Sequence, residues 1–230
     1  SLAVLNELRE AWHALEKDGQ ARVAILHGAG KVFLAGADIK ALAAMDSKSA
    51  AEFAQAGQSL FQTIELSPIV SIAAMHGAAA GGGCELAMAC DIRIAAEDLK
   101  IGQPEVNLGL IPGFGGTQRL PRIVGQGHAL KMILSGELIT SGHALDYGLV
   151  SEVVPNEALL DAAKRLANTI LSRGPLAVKT AKALVRQAFS VPLQEGLLHE
   201  RDSFAKTFGT GEAQEGTQAF LEKRAPKFDS

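Results

Sequence analysis

HGAAAGGGCELAMACD, residues 76–91, sets three consecutive glycines between an apolar run and a helical pattern. With no side chains at Gly81, Gly82 and Gly83, a ligand can approach the backbone closely. The first amides of the helix that follows have no partner within the helix and carry its partial positive charge. Such a junction suits a carboxylate, a phosphate or the oxygen of a thioester enolate. Tight packing of a strand against a helix also calls for glycine, so the motif alone leaves both readings open. Glu85 falls in the first turn of this helix, where the dipole by itself favours a carboxylate by about 0.3–1 kcal/mol. Its neighbours Gly83, Cys84, Leu86 and Met88 are small or apolar. In such a setting a carboxyl group acquires the perturbed pKa that general acid–base chemistry needs.

Upstream, Pro68 forces a break, and Ile69 to Met75 is apolar without the alternation of a half-wet strand. A strand covered on both faces is expected there. Downstream, Gly102 to Leu120 reads GQPEVNLGLIPGFGGTQRL. Glu105 follows Pro104 in this second glycine-rich loop; standing alone, it reads as an ordinary surface-loop carboxylate. Gly109, Gly113, Gly115 and Gly116 suggest backbone folded closely around something, and Thr117 is a candidate cap for the next helix.

Further out, Leu2, Leu5, Leu8, Trp12 and Leu15 recur at three- and four-residue steps, the pattern of an amphipathic helix. Arg22 to His27 reads as a strand ended by Gly28, Ala29 and Gly30. Ser49 is a candidate cap for a helix with Phe53, Gly57, Leu60 and Ile64 along one side. Strands are also expected over 91–96, 99–102 and 149–154. Helical patterns separate most of these strands, which predicts an α/β layered fold. After Pro155 the patterns are helical, over 156–172, 175–189, 193–208 and 211–223, broken at Gly174–Pro175, Pro192 and Gly209. The expected organisation is a strand-rich core over 1–140 and a helical region over 141–230, with the changeover between Ser135 and Pro155.

Composition narrows the function class. Of 230 residues, 47% are hydrophobic and 20% charged, enough for a sizeable core. A net charge of −3, with one Trp and one Tyr, offers neither a basic face nor stacking aromatics for nucleic acid. The first helix is too charged for a secretory segment, and the apolar run over 69–90 is interrupted by His76, glycines and Glu85, so no membrane span is expected. Cys84 and Cys90 suit reduced, buried thiols in a cytoplasmic compartment. The six histidines form no HExxH pair, so no metal site is expected. There is no GxGxxG after a strand, no GKS or GKT, and no GxSxG elbow.

Three blocks carry a resemblance: FLAGADIK at Phe33–Lys40, HGAAAGGGCELAMACD at His76–Asp91, and IGQPEVNLGLIPGFGGTQRL at Ile101–Leu120. In composition, order and spacing they resemble the crotonase (enoyl-CoA hydratase/isomerase) superfamily. The likeness extends to FLEKRAPKF at Phe220–Phe228 and so spans essentially the whole chain. It implies a spiral of ββα turns with C-terminal helices that build trimers, often paired into hexamers. The family pattern ordinarily opens with a strand and an NRP-like stretch, whereas Ser1 already lies in the first helix, so the N-terminal strands of the pattern are expected to be missing.

By resemblance, the amides of Ala37 and Gly82 hold the thioester oxygen, and Glu85 and Glu105 are the two catalytic glutamates. Gly113 matches a glycine whose amide helps to position the reacting water. Ala35, Ala37, Asp38, Ile39 and Lys40 match the loop that lies against bound CoA. Lys40, Lys223, Arg224 and Lys227 are candidate partners for CoA phosphates, although for any one of them a solvated basic residue is the plainer reading. The implied reaction is addition of water to a trans-2-enoyl-CoA, with coenzyme A as part of the substrate and no separate cofactor. Glu85 is assigned mainly to the water and Glu105 mainly to the proton at C2. An isomerase commonly needs only one of the two carboxylates; dehalogenases, decarboxylases and ring-forming members usually replace one or both. A non-catalytic acyl-CoA or RNA-binding protein is the reading from another class. The segment Ala41 to Ser59 is the expected source of acyl-chain preference.

Overall fold

Helix α1 (Leu2–Asp18) opens the computed structural model, which describes residues 2–228. Its spacing turns Leu5 and Trp12 into the core. Strand β1 (Val23–His27) follows, then the short α2 (Ile39–Ala43) and the long α3 (Ser47–Leu66). The cap of α3 is Asp46 and not Ser49. Asp46 Oδ1 accepts from Ser49 N at 2.8 Å, and Ser49 Oγ accepts from Asp46 N at 2.9 Å, a reciprocal capping box. Phe53, Gly57, Leu60 and Ile64 are buried along one side of the helix, as their spacing requires.

Strand β2 (Val70–Met75) is buried throughout and leads through β3 (Ala78–Ala80) into α4 (Gly82–Ala89). Next come β4 (Ile92–Ala96), β5 (Lys100–Gly102), a 3₁₀ turn over Glu105–Leu108 and α5 (Gly116–Ser135). The chain continues through β6 (Ile139–Thr140), α6 (Ser141–Asp146) and β7 (Glu152–Val154). A second 3₁₀ turn over Asn156–Ala158 precedes α7 (Leu159–Leu171), α8 (Pro175–Gln187), α9 (Leu193–Thr207) and α10 (Glu212–Leu221). Two of these strands carry almost no signal in the sequence: β3 is three alanines with no β-branched residue, and β6, Ile139 and Thr140, is β-branched but too short to show alternation.

The strands form two sheets. One is parallel, in the order β1-β2-β4-β7; the other pairs β3 with β5 in parallel and β5 with β6 in antiparallel. An isolated bridge sets Leu34 beside Ala79 at the edge of the second sheet. The chain therefore winds as a spiral. The turn β2–β3–α4 and the turn β4–β5–α5 each place one strand in each sheet and then a helix. The first turn does the same with β1, Leu34 and α3.

Alternation explains why β2 is apolar at every position. Ile72 and Ala74 face α7 together with Ile94, Ala96, Leu159 and Ala163. Ala73 and Met75 face the larger core of Phe61, Met88 and Leu99. Residues beyond 140 thus contribute to the core directly: β7 pairs with β4, and α7 covers the face of the parallel sheet. Helices α8, α9 and α10 differ, since Phe189, Leu193 and Phe220 stand 72–83% exposed on or beside them. Among the described residues, no helix is long and apolar enough to cross a membrane.

Candidate active site

The register of Leu34 against β3 brings two distant loops together. Leu34 N donates to Ala78 O at 3.1 Å, and Ala80 N donates to Leu34 O at 3.0 Å, so residues 35–37 run beside Gly81–Gly83. Both loops are glycine-dependent for stated reasons. A Cβ on Gly83 would overlap the Leu34 carbonyl, and Gly36 has φ +98° with the Ala80 carbonyl close to where its Cβ would stand. Gly82 opens α4, so its amide has no helical acceptor. Neither it nor the Ala37 amide has any other acceptor among the described residues. Two N–H groups from separate loops are thus left without a protein acceptor among the described residues.

Both amides border a cavity of about 250 Å³ that Glu85 and Glu105 also line. Its apolar walls include Leu42, Met45, Phe53, Ile111 and Phe114. Glu85 is 1% exposed. Its Oε1 accepts from Phe114 N at 2.8 Å and from Gly116 N at 2.7 Å. This arrangement replaces the expected cap of α5. Thr117 makes no cap; Gly115 occupies that position with φ +111°, and the carboxylate of Glu85 satisfies the first amide of the helix. Burial pushes the Glu85 carboxyl up to about 7, against the pull of the Gly116 and Phe114 amides and of Arg119, and with a further push from the charge of Glu105.

Glu105 begins the first 3₁₀ turn, and its Oε1 lies against Gly81, 3.0 Å from where a Cβ would stand. Gln103, fully buried, sets its amide against Glu105; with the nitrogen assigned to that side, the orientation that satisfies both ends, it donates to the two carboxylate oxygens at 3.0 and 3.2 Å. Burial raises the Glu105 carboxyl above the usual carboxylate range. The ring of Phe114 is held edge-on by Phe53 and Phe61, with centroids 5.0 and 5.6 Å away, and by close contact with Gly57. The Gly113 carbonyl accepts from Gln58 Nε2 at 2.8 Å, while its amide has no acceptor among the described residues. Two protonatable carboxyl groups and a set of free amides therefore share one small, largely apolar space. That combination can stabilise a developing oxyanion and move protons on either side of it.

A sequence model of the family described as Enoyl-CoA hydratase/isomerase matches residues 1–230. The chain is 44% identical over 227 residues to a protein from Syntrophomonas wolfei named crotonyl-CoA hydratase, covering 98% of this chain and 87% of that one. It is 42% identical over 221 residues to the short-chain-enoyl-CoA hydratase of Clostridium acetobutylicum, covering 96% and 85%. A crystal structure of an enoyl-CoA hydratase from Bacillus anthracis superposes with a TM-score of 0.95 at 41% identity, covering 99% of this chain and 89% of that one. The chain belongs to the enoyl-CoA hydratase/isomerase family.

It is an enzyme of that family with the crotonase fold. Of the residues singled out by sequence, Ala35, Ala37, Ile39, Gly82, Glu85, Glu105 and Gly113 all border the cavity, whereas Asp38 and Lys40 do not. Asp38 caps α2, accepting from Lys40 N at 2.9 Å, and Lys40 itself is exposed. Arg224 pairs with Glu215 and Glu222 at 2.7 and 2.6 Å, and the Lys227 amide donates to Glu215, so these two secure the C-terminal segment to α10. His76 Nε2 donates to the Gly30 carbonyl at 2.9 Å, and the ring packs on His27 away from the cavity. Among the described residues, no three His, Cys, Asp or Glu side chains gather as a metal site would need. Sequence reading passed over Gln103, the Phe114 and Gly116 amides, and Arg119. All four lie in quoted motifs, but their partners are set by tertiary register, which motif spacing does not carry.

Proposed function

We propose that the enzyme is an enoyl-CoA hydratase, adding water reversibly across C2 and C3 of a trans-2-enoyl-CoA to give a 3-hydroxyacyl-CoA. One observation carries this reading: two carboxyl groups, the buried Glu85 and the partly buried Glu105, line one cavity beside free amides. In this reading the Ala37 and Gly82 amides bind the thioester oxygen, whose charge grows as the enolate-like state forms, so they stabilise that state more than the substrate. Glu85 takes a proton from the attacking water through Oε2, its Oε1 being occupied, and the Gly113 amide helps to hold that water. Glu105, whose raised affinity for a proton suits a donor, protonates C2. The two exchange roles in the reverse direction and titrate as a coupled pair.

The CoA of the substrate lies along residues 37–40, with Lys40 near its phosphates, and no separate cofactor is used. The small cavity closed by Met45, Phe53 and Phe114 favours short acyl chains, in keeping with the names of the crotonyl and short-chain relatives. The working form is a homotrimer or a pair of trimers built through the C-terminal helices, in a reducing, cytoplasmic setting that suits two free buried cysteines.

Loss of enoyl-thioester absorbance with crotonyl-CoA and longer enoyl-CoAs tests the reaction. Glu85→Gln and Glu105→Gln are each expected to remove most turnover while leaving binding of a CoA thioester intact. Near-normal turnover in either variant would sink the assignment. Double-bond migration in a 3-enoyl-CoA without any hydration would replace it by an isomerase.

A further inference from the structure

The amides that hold Glu85 belong to the loop Gly113–Gly116, and the shape of that loop is set from outside. The Phe114 carbonyl accepts from Arg119 Nη1 at 2.9 Å. At Gly115, φ +111°, a Cβ would overlap the same nitrogen, so the loop is wrapped directly on the guanidinium. Arg119 lies in the first turn of α5, where the positive end of the helix disfavours a cation. Glu65 offsets this: its Oε2 accepts from Arg119 Nε at 3.1 Å and Nη2 at 2.8 Å. Its other oxygen accepts from Arg186 Nη1 of α8 at 3.1 Å. Arg186 in turn reaches Ala89 O at 3.1 Å, at the end of the helix that carries Glu85. The helix bearing the carboxylate and the loop receiving it are thus joined through one acid, Glu65.

We propose that Arg119, held by Glu65, is a positioning residue for Glu85: it fixes the Gly113–Gly116 loop so that the Phe114 and Gly116 amides keep Oε1 occupied and Oε2 turned to the cavity. This rests on Glu85 as the base of the hydratase reaction. The guanidinium is 15% exposed, so its charge is only partly screened. The groups facing Glu85 are Glu105 from the 3₁₀ turn, Arg119 from α5 and, on its own helix, Cys84, whose thiol is pushed up to about 12 by burial and stays neutral. Arg119 is the one cation among them, and it favours the ionised carboxylate.

The alternative is an ordinary ion pair that fastens α5 to α3, and pH dependence separates the two. Arg119→Met is expected to lower kcat by about 10–100-fold, the usual scale for partners that orient a functional group, with KM little changed and the acid limb of the pH–rate profile moved to higher pH. Arg119→Lys keeps the charge without the fork, so it should hold the acid limb near its original position and recover part of kcat. Glu65→Gln should reduce kcat in the same direction, and either of these two serves if Arg119→Met does not fold. Lowered thermal stability with unchanged kcat and acid limb would overturn the proposal in favour of the simple fastener. Titration of the Glu85 carboxyl stretch by infrared difference against Glu85→Gln reads the same effect without turnover. Absence of hydration in the unsubstituted enzyme would remove the hydratase reading. A Glu85 titration unmoved in Arg119→Met would remove only the role of Arg119.

Discussion

In the proposed reaction, Glu85 must be an anion in a place that disfavours anions. Its carboxyl titrates near 7 in the folded enzyme against 4.5 ordinarily, because burial outweighs the two amides and Arg119. Between those values the folded chain holds a proton that the unfolded chain has lost, so this group supports the fold most at low pH and that support is lost as pH rises through about 7. The gap corresponds to a cost of about 3 kcal/mol above pH 7. Glu85→Gln keeps an oxygen to accept from Phe114 and Gly116 and removes the charge. The Glu85→Gln variant should therefore unfold at a higher temperature than the unsubstituted enzyme at pH 8, with most of the difference lost by pH 5 and all of it gone only below about 4.5. Equal midpoints at both pH values would mean that the carboxylate is better solvated than its burial implies.

At the scale of elements, the two amides proposed to hold the thioester oxygen depend for their placement on one bridge, Leu34 to Ala79, and on the glycine that permits it. A Cβ on Gly83 overlaps the Leu34 carbonyl, so Gly83→Ala must push residues 33–37 away from β3 and α4. Overpacking of this kind typically costs 1–3 kcal/mol, and the Ala37 amide moves with the segment. A lower unfolding midpoint together with a large loss of kcat is expected. Gly30→Ala serves as the comparison, since nothing lies within 4 Å of a Cβ there and both properties should stay unchanged. If Gly83→Ala turned over normally, the two amides would not act on one oxygen.

At the scale of the molecule, α8 ties into the core through charges. Lys182 and Arg186 meet Asp91 at 2.7 and 2.8 Å, and Arg186 meets Glu65. Helices α9 and α10 leave Leu193, Phe204, Phe208 and Phe220 more than half exposed. Large apolar side chains exposed in such number are expected to be covered in an assembly, and sedimentation should report a mass three or six times the 24.0 kDa of one chain. A single chain at micromolar concentration would rule out the trimer.

Much of this was legible before folding. The amphipathic spacing of α1, the apolar β2 and the helical tail follow from periodicity alone, because burial on one or both faces imposes it. Glu85 stood out because an ionisable group among apolar neighbours is costly without a use, whereas Glu105 was picked out only by the resemblance of its block. The caps of α3 and α5 were misread, since Asp46 precedes any apolar signal and the cap of α5 comes from another helix. The strand Ala78–Ala80 was invisible because three alanines have no periodicity. By itself, then, the sequence determined which residues could carry the chemistry and the spiral that resemblance implied. Only the tertiary structure decided how they meet: Leu34 beside Ala79, Glu85 on the Phe114 and Gly116 amides, Arg119 on Glu65. Those contacts join residues far apart in the chain, and their register is set by close packing of backbone on backbone, which no local pattern of side chains encodes.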